Sequence, residues 1–370
     1  MHFHVDRQTF EKHIYAAQNV AESKGAIQIL GYVLLQAEEK TLTIKATDLD
    51  LAITITCAAE VSEPGKILLN ARTLFETVKK GINSSIEIKT NAQHHCHINT
   101  GTQYELVGLE ATEFPELPDT KATDLVTLDK ETFSDAVRRT LYAASDSEAR
   151  AALNGLFLQA RTDGLRLVAT DGHRLTYTHV PAQKSLAAKA GVILARKGLS
   201  DLVRSIPAEE TEIKLGIYDR YAHFEWTDVV CTLRLVNADF PAYEQVVPKQ
   251  SNLPKAVILD RQTFLDSIGR VATVSNDRFN SLKLIFTKGD PGQLTLSCNN
   301  FEQGESSDTL AVEFKDEKTE IGFNIKYVQQ AVANMKSDEI KISFRDHLSA
   351  ATIEDPKDGS SLAVIMPLRI

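Results

Sequence analysis

A hexapeptide that occurs three times decides the fold of this chain. It reads Val5-Asp6-Arg7-Gln8-Thr9-Phe10 at its first occurrence, Leu128-Asp129-Lys130-Glu131-Thr132-Phe133 at its second and Leu259-Asp260-Arg261-Gln262-Thr263-Phe264 at its third. Each copy has an apolar residue, Asp, a basic residue, Gln or Glu, Thr and Phe. Because the copies begin at residues 5, 128 and 259, the repeated unit is a whole domain, longer than the roughly 20–50 residues of a solenoid repeat.

Further landmarks recur in the same order in all three copies. The segment LTIKATD at 42–48 matches LRLVATD at 165–171 and, more loosely, LTLSCNN at 294–300. A residue pair ending in proline stands near the end of each copy, as Phe114-Pro115, Phe240-Pro241 and Met366-Pro367. This order predicts three domains of one fold, with boundaries at 1–122, 123–252 and 253–370.

Each copy predicts two helices. After the hexapeptide, apolar residues recur every three or four positions, as at Phe10, Ile14 and Ala17, which is typical of an amphipathic helix. The preceding Asp is a predicted N-cap. The second helix of each copy is predicted in the segments 70–81, 195–206 and 323–336.

Strands are predicted between and after the helices. Apolar and polar residues alternate at 41–46 and at 165–169, and Asp171-Gly172 is typical of a hairpin turn. The fold class is therefore α+β, with two helices packed on antiparallel sheets in each domain.

Composition indicates an ordinary soluble protein. The chain is 43% hydrophobic and 25% charged, and no apolar run approaches the roughly 20 residues of a membrane span. The N-terminus lacks the apolar region of a signal peptide, so we expect a cytoplasmic protein with no membrane partner. The four cysteines are scattered without a C-x-x-C motif, which indicates neither disulfides nor a zinc site.

Positive charge is concentrated in the three second-helix segments. They contain eight basic and two acidic residues, whereas the whole chain has a net charge of −9. The first-helix segments at 6–24, 129–145 and 260–278 contain nine basic and nine acidic residues. Basic helix faces are often only solvated, but three equivalent helices biased alike in an acidic chain favour a surface that attracts DNA phosphates.

Several motifs resemble those of one known family. These are ALNGLF at 152–157, VATDGHRL at 168–175, DFPAY at 239–243 and the terminal VIMPLRI at 364–370. In this order, over the whole chain, they are similar to the bacterial DNA polymerase III beta subunit, the replicative sliding clamp. The resemblance implies a head-to-tail homodimer in which six domains form a ring around duplex DNA, with twelve helices lining the hole.

Simple geometry supports a ring of two chains. A domain of this length has a radius of gyration of roughly 14 Å and a diameter of about 35 Å. Three touching spheres of that size leave a hole about 5 Å wide, and six leave one about 35 Å wide. A duplex needs more than roughly 17 Å, so one chain cannot enclose it and two can.

The resemblance also implies partners and DNA-facing residues. The partners are sequence-independent double-stranded DNA, a second copy, the polymerase III catalytic subunit, the clamp-loader ATPase, and other polymerases, ligase and mismatch-repair proteins that carry short clamp-binding motifs. At Ala151-Ala152 the family pattern has an aromatic pair, so a DNA contact there is in doubt. The DNA-facing residues are expected to be Lys24, Arg72, Arg196, Lys197, Arg278 and Phe279.

A peptide-binding pocket is implied between domains two and three. Its apolar side chains would form the walls, and Arg174 and Arg369 would anchor polar groups. Alternatively, the C-terminal segment is only the last core strand. Glu244-Gln245 departs from a more basic family pattern, which puts partner preference in doubt. The implied pocket residues are Arg150, Leu153, Thr170, Gly172, His173, Arg174, Leu175, Pro241, Val246, Asn324, Tyr327, Val364, Ile365, Met366, Pro367, Leu368 and Arg369.

A dimer interface is implied by the same resemblance. The strand near Tyr104 and Leu106 in copy one would pair with the strand near Asp308 and Leu310 in copy three, with Val274 nearby. Alternatively, Tyr104 and Val274 are ordinary core residues.

The sequence favours a binding protein over an enzyme. No G-x-S-x-G or G-x-x-x-x-G-K-[ST] motif occurs, so we expect no catalytic residue and no cofactor. The stretch from His94 to His97 is not expected to bind a metal, because neighbouring residues of a strand point to opposite faces. Two alternatives stay open: a DNA-modifying enzyme such as a metal-dependent nuclease, and an oligomer that binds only proteins.

Overall fold

The computed structural model describes residues 1–21, 26–118, 124–182, 186, 191–276, 278 and 280–369. The first copy contains β1 (His2–Asp6), α1 (Arg7–Val20), β2 (Tyr32–Glu38), β3 (Thr41–Thr47), β4 (Leu51–Ala58), β5 (Glu60–Glu63), β6 (Gly65–Asn70), α2 (Ala71–Lys79), β7 (Ser85–Thr90), β8 (His95–Asn99) and β9 (Gln103–Val107). The second copy contains β10 (Val126–Asp129), α3 (Lys130–Leu141), β11 (Gly155–Arg161), β12 (Gly164–Thr170), β13 (Arg174–Pro181), β14 (Val192–Ala195), α4 (Arg196–Ser205), β15 (Glu212–Tyr218), β16 (Tyr221–Trp226) and β17 (Val229–Arg234). The third copy contains β18 (Lys255–Asp260), α5 (Arg261–Val271), β19 (Ser281–Thr287), β20 (Gly292–Asn300), β21 (Gly304–Val312), β22 (Thr319–Asn324), α6 (Ile325–Ala333), β23 (Glu339–Phe344), β24 (Ala351–Glu354) and β25 (Ser361–Ile365).

The repeated hexapeptide forms the same strand-to-helix junction three times. Its Asp ends a strand and accepts a hydrogen bond from the backbone N–H of the Thr three residues later, at 2.8 Å for Asp6 and 2.7 Å for Asp129 and Asp260. The Phe that follows is fully buried in each copy. The predicted N-caps and first helices are therefore confirmed, because one residue satisfies a free helix N–H while another enters the core.

The second helices are confirmed as well, but their N-caps differ. Asn70 accepts a hydrogen bond from Thr73 N at 3.0 Å, and Asn324 accepts one from Lys326 N at 2.9 Å. The equivalent residue in copy two is Ala195, which has no side-chain oxygen to cap α4. The second copy therefore keeps the helix but lacks this stabilising contact.

One compact unit comprises Met1–Thr132 and Ala182–Asn237. A five-stranded antiparallel sheet has the order β5-β1-β7-β8-β9, and a larger sheet has the order β10-β15-β16-β17-β4-β3-β2-β6. In the larger sheet β17 of copy two pairs with β4 of copy one, with Cys231 opposite Ile53. On this unit α1 packs against both α2 and α4.

The second compact unit comprises Phe133–Pro181 and Ala238–Ile370. One sheet contains the strands β11-β12-β13-β25-β24-β23-β18 in that order, and the other has the order β21-β20-β19-β22. Strand β13 of copy two pairs with β25 of copy three, with Thr176 opposite Ala363. The buried Arg139 of α3 donates from Nε to the carbonyl oxygen of Asn334, at the end of α6.

The two compact units do not follow the repeat boundaries. Sheets continue from one copy into the next, so backbone hydrogen bonds tie part of copy two to copy one and part to copy three. The boundaries 1–122, 123–252 and 253–370 therefore stay predictions. Within the described ranges, every helix is too short or too polar to cross a membrane.

Candidate functional site

A largely apolar cavity lies beside the C-terminal strand of the second unit. Its volume is about 280 Å³. Strands β12, β13 and β25 contribute to its wall, together with the turn between β12 and β13 and the segment after Phe240. Leu153 before β11 and Met366 after β25 complete it. The lining residues are Leu153, Thr170, Gly172, His173, Arg174, Leu175, Pro241, Ala242, Tyr243, Val246, Val364 and Met366.

The floor of the cavity is a small aromatic and aliphatic cluster. Tyr243 is 4% exposed and packs with Leu175 and Val364. Phe157 and Phe240 stack beside it with ring centroids 4.7 Å apart. Because burial holds these side chains in place, the cavity is formed before any ligand arrives.

Exposed apolar side chains form part of the cavity wall. Val246 is 57% exposed and Met366 is 46% exposed. Leu368, two residues further along the chain, is 37% exposed, and its backbone N–H donates to the carbonyl oxygen of Gly322 at 2.8 Å. Exposed apolar groups beside an apolar cavity are typical of a surface that binds another molecule.

The hairpin turn between β12 and β13 shapes one wall of the cavity. Asp171 accepts hydrogen bonds from the backbone N–H groups of His173 and Arg174, at 2.9 Å and 3.0 Å. Gly172 has a φ of +91°, which a glycine adopts without strain. The His173 carbonyl oxygen accepts a hydrogen bond from Met366 N at 3.0 Å, which ties the C-terminal segment to this turn.

Arg174 lines the cavity and is also held in the wall by hydrogen bonds, and its role as a polar anchor stays a prediction. Its Nε donates to Asp171 at 3.0 Å, its Nη2 donates to the Tyr142 carbonyl oxygen at 2.7 Å, and its Nη1 donates to Gln330. The guanidinium also lies 4.4 Å from the centroid of the Tyr327 ring. Three of the five N–H donors of the guanidinium are engaged by described residues and the side chain is 10% exposed, so Arg174 is fixed in the wall with two N–H groups left over.

Ten of the expected pocket residues line the cavity, and seven do not. Arg150 is exposed and donates to the Asp171 carbonyl oxygen at 3.2 Å, so it supports the turn. Ile365 is 2% exposed and belongs to the hydrophobic core of copy three, as the alternative interpretation of the last strand expected. The other residues outside the lining are Asn324, Tyr327, Pro367, Leu368 and Arg369.

Two lining residues, Ala242 and Tyr243, were absent from the expected set. Both lie in the DFPAY segment that carried the family resemblance, so the signal was available in the sequence. The next residue, Glu244, forms an ion pair with Arg161 at 3.2 Å. The acidic departure at this position therefore has a basic partner within the same unit.

Three of the six expected DNA-facing residues lie in the first turn of a helix. Arg72 is exposed in the first turn of α2, and no described residue forms an ion pair with it. Arg196 and Lys197 begin α4, and Lys197 forms an ion pair with Asp48. Arg278 is exposed after α5. Lys24 and Phe279 lie outside the described residues.

The expected interface residues lie on or beside two sheet edges. Tyr104 and Leu106 are half-buried on β9, and Asp308 and Leu310 are half-buried on β21. Strand β9 is the last strand of its five-stranded sheet, and β21 is the first of its four-stranded sheet. Val274 lies just after α5 and packs against the core of copy three.

Asp308 already has partners within its own chain. It accepts hydrogen bonds from Ser267 Oγ at 2.8 Å and from Arg270 Nε at 2.9 Å. The hydrogen bond from Ser267 is the largest cause that holds the pKa of the Asp308 carboxyl below its usual value, and the bond from Arg270 acts in the same direction. The carboxylate is therefore ionised at neutral pH and fixed on the edge strand.

The described residues contain no reactive thiol. All four cysteines are buried. Burial raises the pKa of the Cys57 thiol to about 11 and that of Cys96 to about 12. These thiols are protonated at neutral pH and therefore poor nucleophiles.

Three family models match the chain and together span nearly all of it. They are described as the N-terminal domain of the DNA polymerase III beta subunit at residues 1–118, its central domain at 127–242 and its C-terminal domain at 244–369. Curated proteins called beta sliding clamp are similar over their whole length. That of Caulobacter vibrioides is 30% identical, with 99% of both chains covered, and that of Escherichia coli is 29% identical, with 100% of both covered.

Solved structures agree with the same fold over the whole chain. A sliding clamp from Bartonella birtlesii, bound to griselimycin, is 32% identical with a TM-score of 0.93, and each chain is covered completely. The DNA polymerase III subunit beta from Pseudomonas aeruginosa is 28% identical with a TM-score of 0.92, again with complete coverage of both chains.

Proposed function

Since the chain belongs to the DNA polymerase III beta subunit family, the bacterial sliding clamps, we propose that two copies close head to tail into a ring through strands β9 and β21. The chain is a non-catalytic processivity factor of the replicative DNA polymerase. It acts on DNA by enclosing it, so the basic helices need only weak contacts with phosphates. We place this activity in the cytoplasm.

The equivalence of the junctions between copies carries the proposal for ring closure. Strand β17, the last of copy two, pairs with β4 of copy one, and β25, the last of copy three, pairs with β13 of copy two. Strands β4, β13 and β21 are equivalent, because each is the second strand of a hairpin: β3–β4, β12–β13 and β20–β21. Among the described strands, two lack an equivalent junction partner. They are β9, the last strand of copy one, and β21, the copy-three equivalent of β4 and β13.

These two edges belong to the first and the third copy, and we infer that they form the same kind of junction between two molecules. An edge strand has unpaired backbone N–H and C=O groups that favour such pairing. A head-to-tail contact that repeats with a closing rotation produces a ring. This supports a dimer with two equivalent interfaces, each between copy one and copy three.

A DNA-retention experiment tests the topological mechanism. The protein is loaded onto a nicked circular plasmid by a clamp-loader ATPase and separated from free protein by gel filtration, with half the sample linearised first. We expect retention on the circle and loss from the linear DNA, because a ring slides off free ends. Equal retention on both forms would show that direct contacts hold the protein.

Charge reversal tests which helices face DNA. We expect Arg72→Glu to shorten the time spent on circular DNA at low salt, since it removes a phosphate contact, and to lessen the dependence on salt. Lys214→Glu, at an exposed position on β15, is the matched control. An equal effect of both substitutions would assign the loss to net charge alone.

We further propose that the cavity beside β25 binds short, partly apolar peptide motifs of partner proteins. The partners would be the polymerase III catalytic subunit, the clamp loader, other polymerases, ligase and mismatch-repair proteins. The apolar floor and the exposed side chains of Val246 and Met366 support peptide binding. An apolar side chain of the peptide would cover these groups and remove their apolar surface from water.

Peptide binding can be measured by the fluorescence anisotropy of a labelled peptide from the partner polymerase. We expect the double variant Val246→Ala and Met366→Ala to bind at least tenfold more weakly, which corresponds to about 1.4 kcal/mol. Ile258→Ala removes an equally exposed side chain from β18 and should bind as the parent does. Removal of residues 366–370 should abolish binding but preserve the dimer. Unchanged affinity in the double variant would refute the pocket.

A further inference from the structure

Two histidines alternate with core residues on the first strand. On β1, Phe3 and Val5 are buried, whereas His2 and His4 are only partly buried. Because side chains of a strand alternate between faces, both imidazoles lie on the face opposite to Phe3. The neighbouring strand β7 places Glu87 directly opposite His4, so its carboxylate lies on the same face.

These three side chains converge. His2 Nε2 lies 2.9 Å from Glu87 Oε1, and the His2 and His4 ring centroids are 5.4 Å apart. One donor atom from each of the three residues lies within 4.8 Å of the other two. Among the described residues, no other trio of His, Cys, Asp or Glu side chains meets this condition.

We propose that His2, His4 and Glu87 form a binding site for a divalent transition-metal ion such as Zn²⁺. Two imidazole nitrogens and one carboxylate oxygen are ligands that Zn²⁺ accepts, with the remaining position open to water. Bond lengths of about 2.0–2.2 Å place the donor atoms roughly 3.4 Å apart, which small rotations of these partly exposed side chains achieve. The ion would join the N-terminal strand to β7.

The charges around the three residues favour a cation. Glu87 supplies a carboxylate, which is ionised at neutral pH as an ordinary glutamate is. On the other side of β1, strand β5 places Glu60 opposite His4 and Glu63 opposite His2. Lys89 on β7 opposes His2 and is the nearby cation in the strand register. Three carboxylates therefore stand beside the two histidines, against the ammonium groups of Lys89 and Met1.

The same sheet offers a built-in comparison. On β8, His95 Nδ1 lies 2.5 Å from Glu105 Oε1, and His97 stands opposite Glu105 in the strand register. These residues also combine histidines with a glutamate, but their donor atoms do not meet the distance condition. Substitutions at His97 thus change a histidine of this sheet without touching the proposed site.

Zn²⁺ binding to the tag-free, metal-stripped protein tests the site by isothermal titration calorimetry. We expect one site per chain with micromolar affinity, weakened at least tenfold in both His4→Gln and Glu87→Gln. His97→Gln should bind as the parent does. No saturable binding to the parent, or equal affinity in the parent and the two site variants, would overturn the proposal, as would loss of binding in His97→Gln.

Two further readouts separate coordination from a change in folding. Co²⁺ bound to the parent should give visible absorption bands that are absent from His4→Gln. Added Zn²⁺ should raise the thermal unfolding midpoint of the parent and of His97→Gln but not of His4→Gln, because only a ligand that prefers the folded state stabilises it. A similar rise in His4→Gln would assign the ion to another place and refute the site.

Discussion

Leu49 and Gly172 occupy equivalent positions in two hairpin turns but are not equally suited to them. In the turn before β4, Thr47 Oγ1 donates to the Leu51 carbonyl oxygen at 2.9 Å, and Thr170 Oγ1 makes the same contact with Arg174 at 2.6 Å. The residue two positions after each Thr has a positive φ, +78° at Leu49 and +91° at Gly172. A leucine in this region is strained by its Cβ, whereas glycine is not.

We predict that Leu49→Gly raises the stability of the folded protein by up to about 1 kcal/mol, the cost of a left-handed backbone for a residue with a Cβ. Leu49 is 51% exposed, so little packing is lost. Thermal unfolding measures the change. Leu49→Ala keeps the Cβ and should give no gain, and a gain in this control would show that the exposed side chain, not the backbone, is the cause.

At the scale of elements, the six α-helices in the described part of the chain begin with related but unequal caps. Asp6, Asp129 and Asp260 cap the first helices, and Asn70 and Asn324 cap two of the second helices. Ala195 has backbone angles of −59° and 134°, close to the −58° and 121° of Asn70, but no polar side chain. The backbone at α4 is therefore already in the conformation that a cap requires.

Ala195→Asn should stabilise the protein by about 1 kcal/mol, because the new side chain can accept a hydrogen bond from a free N–H of α4. The midpoint of urea unfolding is the measurement. Asn70→Ala, the reverse change at the equivalent position, should cost a similar amount. A neutral or destabilising effect of Ala195→Asn would mean that the side chain cannot reach the helix N–H groups.

Acid should remove part of the capping by Asp6. Its pKa is lowered mainly by the hydrogen bond from Thr9 N, so its contribution to stability is present above the unfolded value of 3.8 and is lost as the pH falls through the lower folded value. At pH 7, Asp6→Asn should therefore lower the free energy of unfolding by less than about 1 kcal/mol and lower the unfolding temperature accordingly. Near pH 3 the difference between the variant and the parent should be smaller. Asn70→Ala removes a cap that does not titrate, so its stability difference from the parent should be similar at pH 7 and near pH 3.

At the scale of the whole molecule, β9 and β21 lack, within the described ranges, the junction partner that their equivalents in the other copies have, and we propose that they pair with another copy. The junctions β17–β4 and β25–β13 bury the corresponding edges inside the chain. Strands β9 and β21 are left at the ends of their sheets. On β9, Val107 is 70% exposed, so this edge also presents apolar surface.

Charged residues at Tyr104 and Leu106 should convert the dimer to monomers, because an edge that carries unpaired charges cannot pack against another sheet. Sedimentation velocity measures the oligomeric state, and circular dichroism checks the fold. Val61→Asp places a charge at a half-buried position on β5, the opposite edge of the same sheet, and should remain dimeric. Leu310→Asp, on the proposed partner edge, should also dissociate the dimer. A folded Tyr104 and Leu106 variant that stays dimeric would reject this interface.

The helices and the repeat could be predicted from sequence because their signals are local. The Asp and Phe of each hexapeptide act within one turn of their own helix, so the same six residues produce the same junction wherever they occur. The alternation at 41–46 and the turn at Asp171-Gly172 are likewise short-range patterns, and the structure confirms both.

The site could be predicted only in part. The family resemblance named ten of the residues around the cavity, but it assigned Arg174 an anchoring role that depends on what surrounds the side chain. Gln330 and the Tyr142 carbonyl oxygen, far from Arg174 in sequence, accept two of its five N–H donors. Similarly, no sequence pattern joins His2 and His4 to Glu87, because only sheet pairing brings this carboxylate beside them.

The sequence by itself determined three copies of one α+β domain, the starts of their helices and the membership of a clamp family, since each depends on local periodicity or on motifs. Only the tertiary structure decided which strands pair between copies, which edges stay open and which donors are already satisfied. The physical reason is that strand pairing and side-chain hydrogen bonding join residues distant along the chain, and no local pattern records these partners.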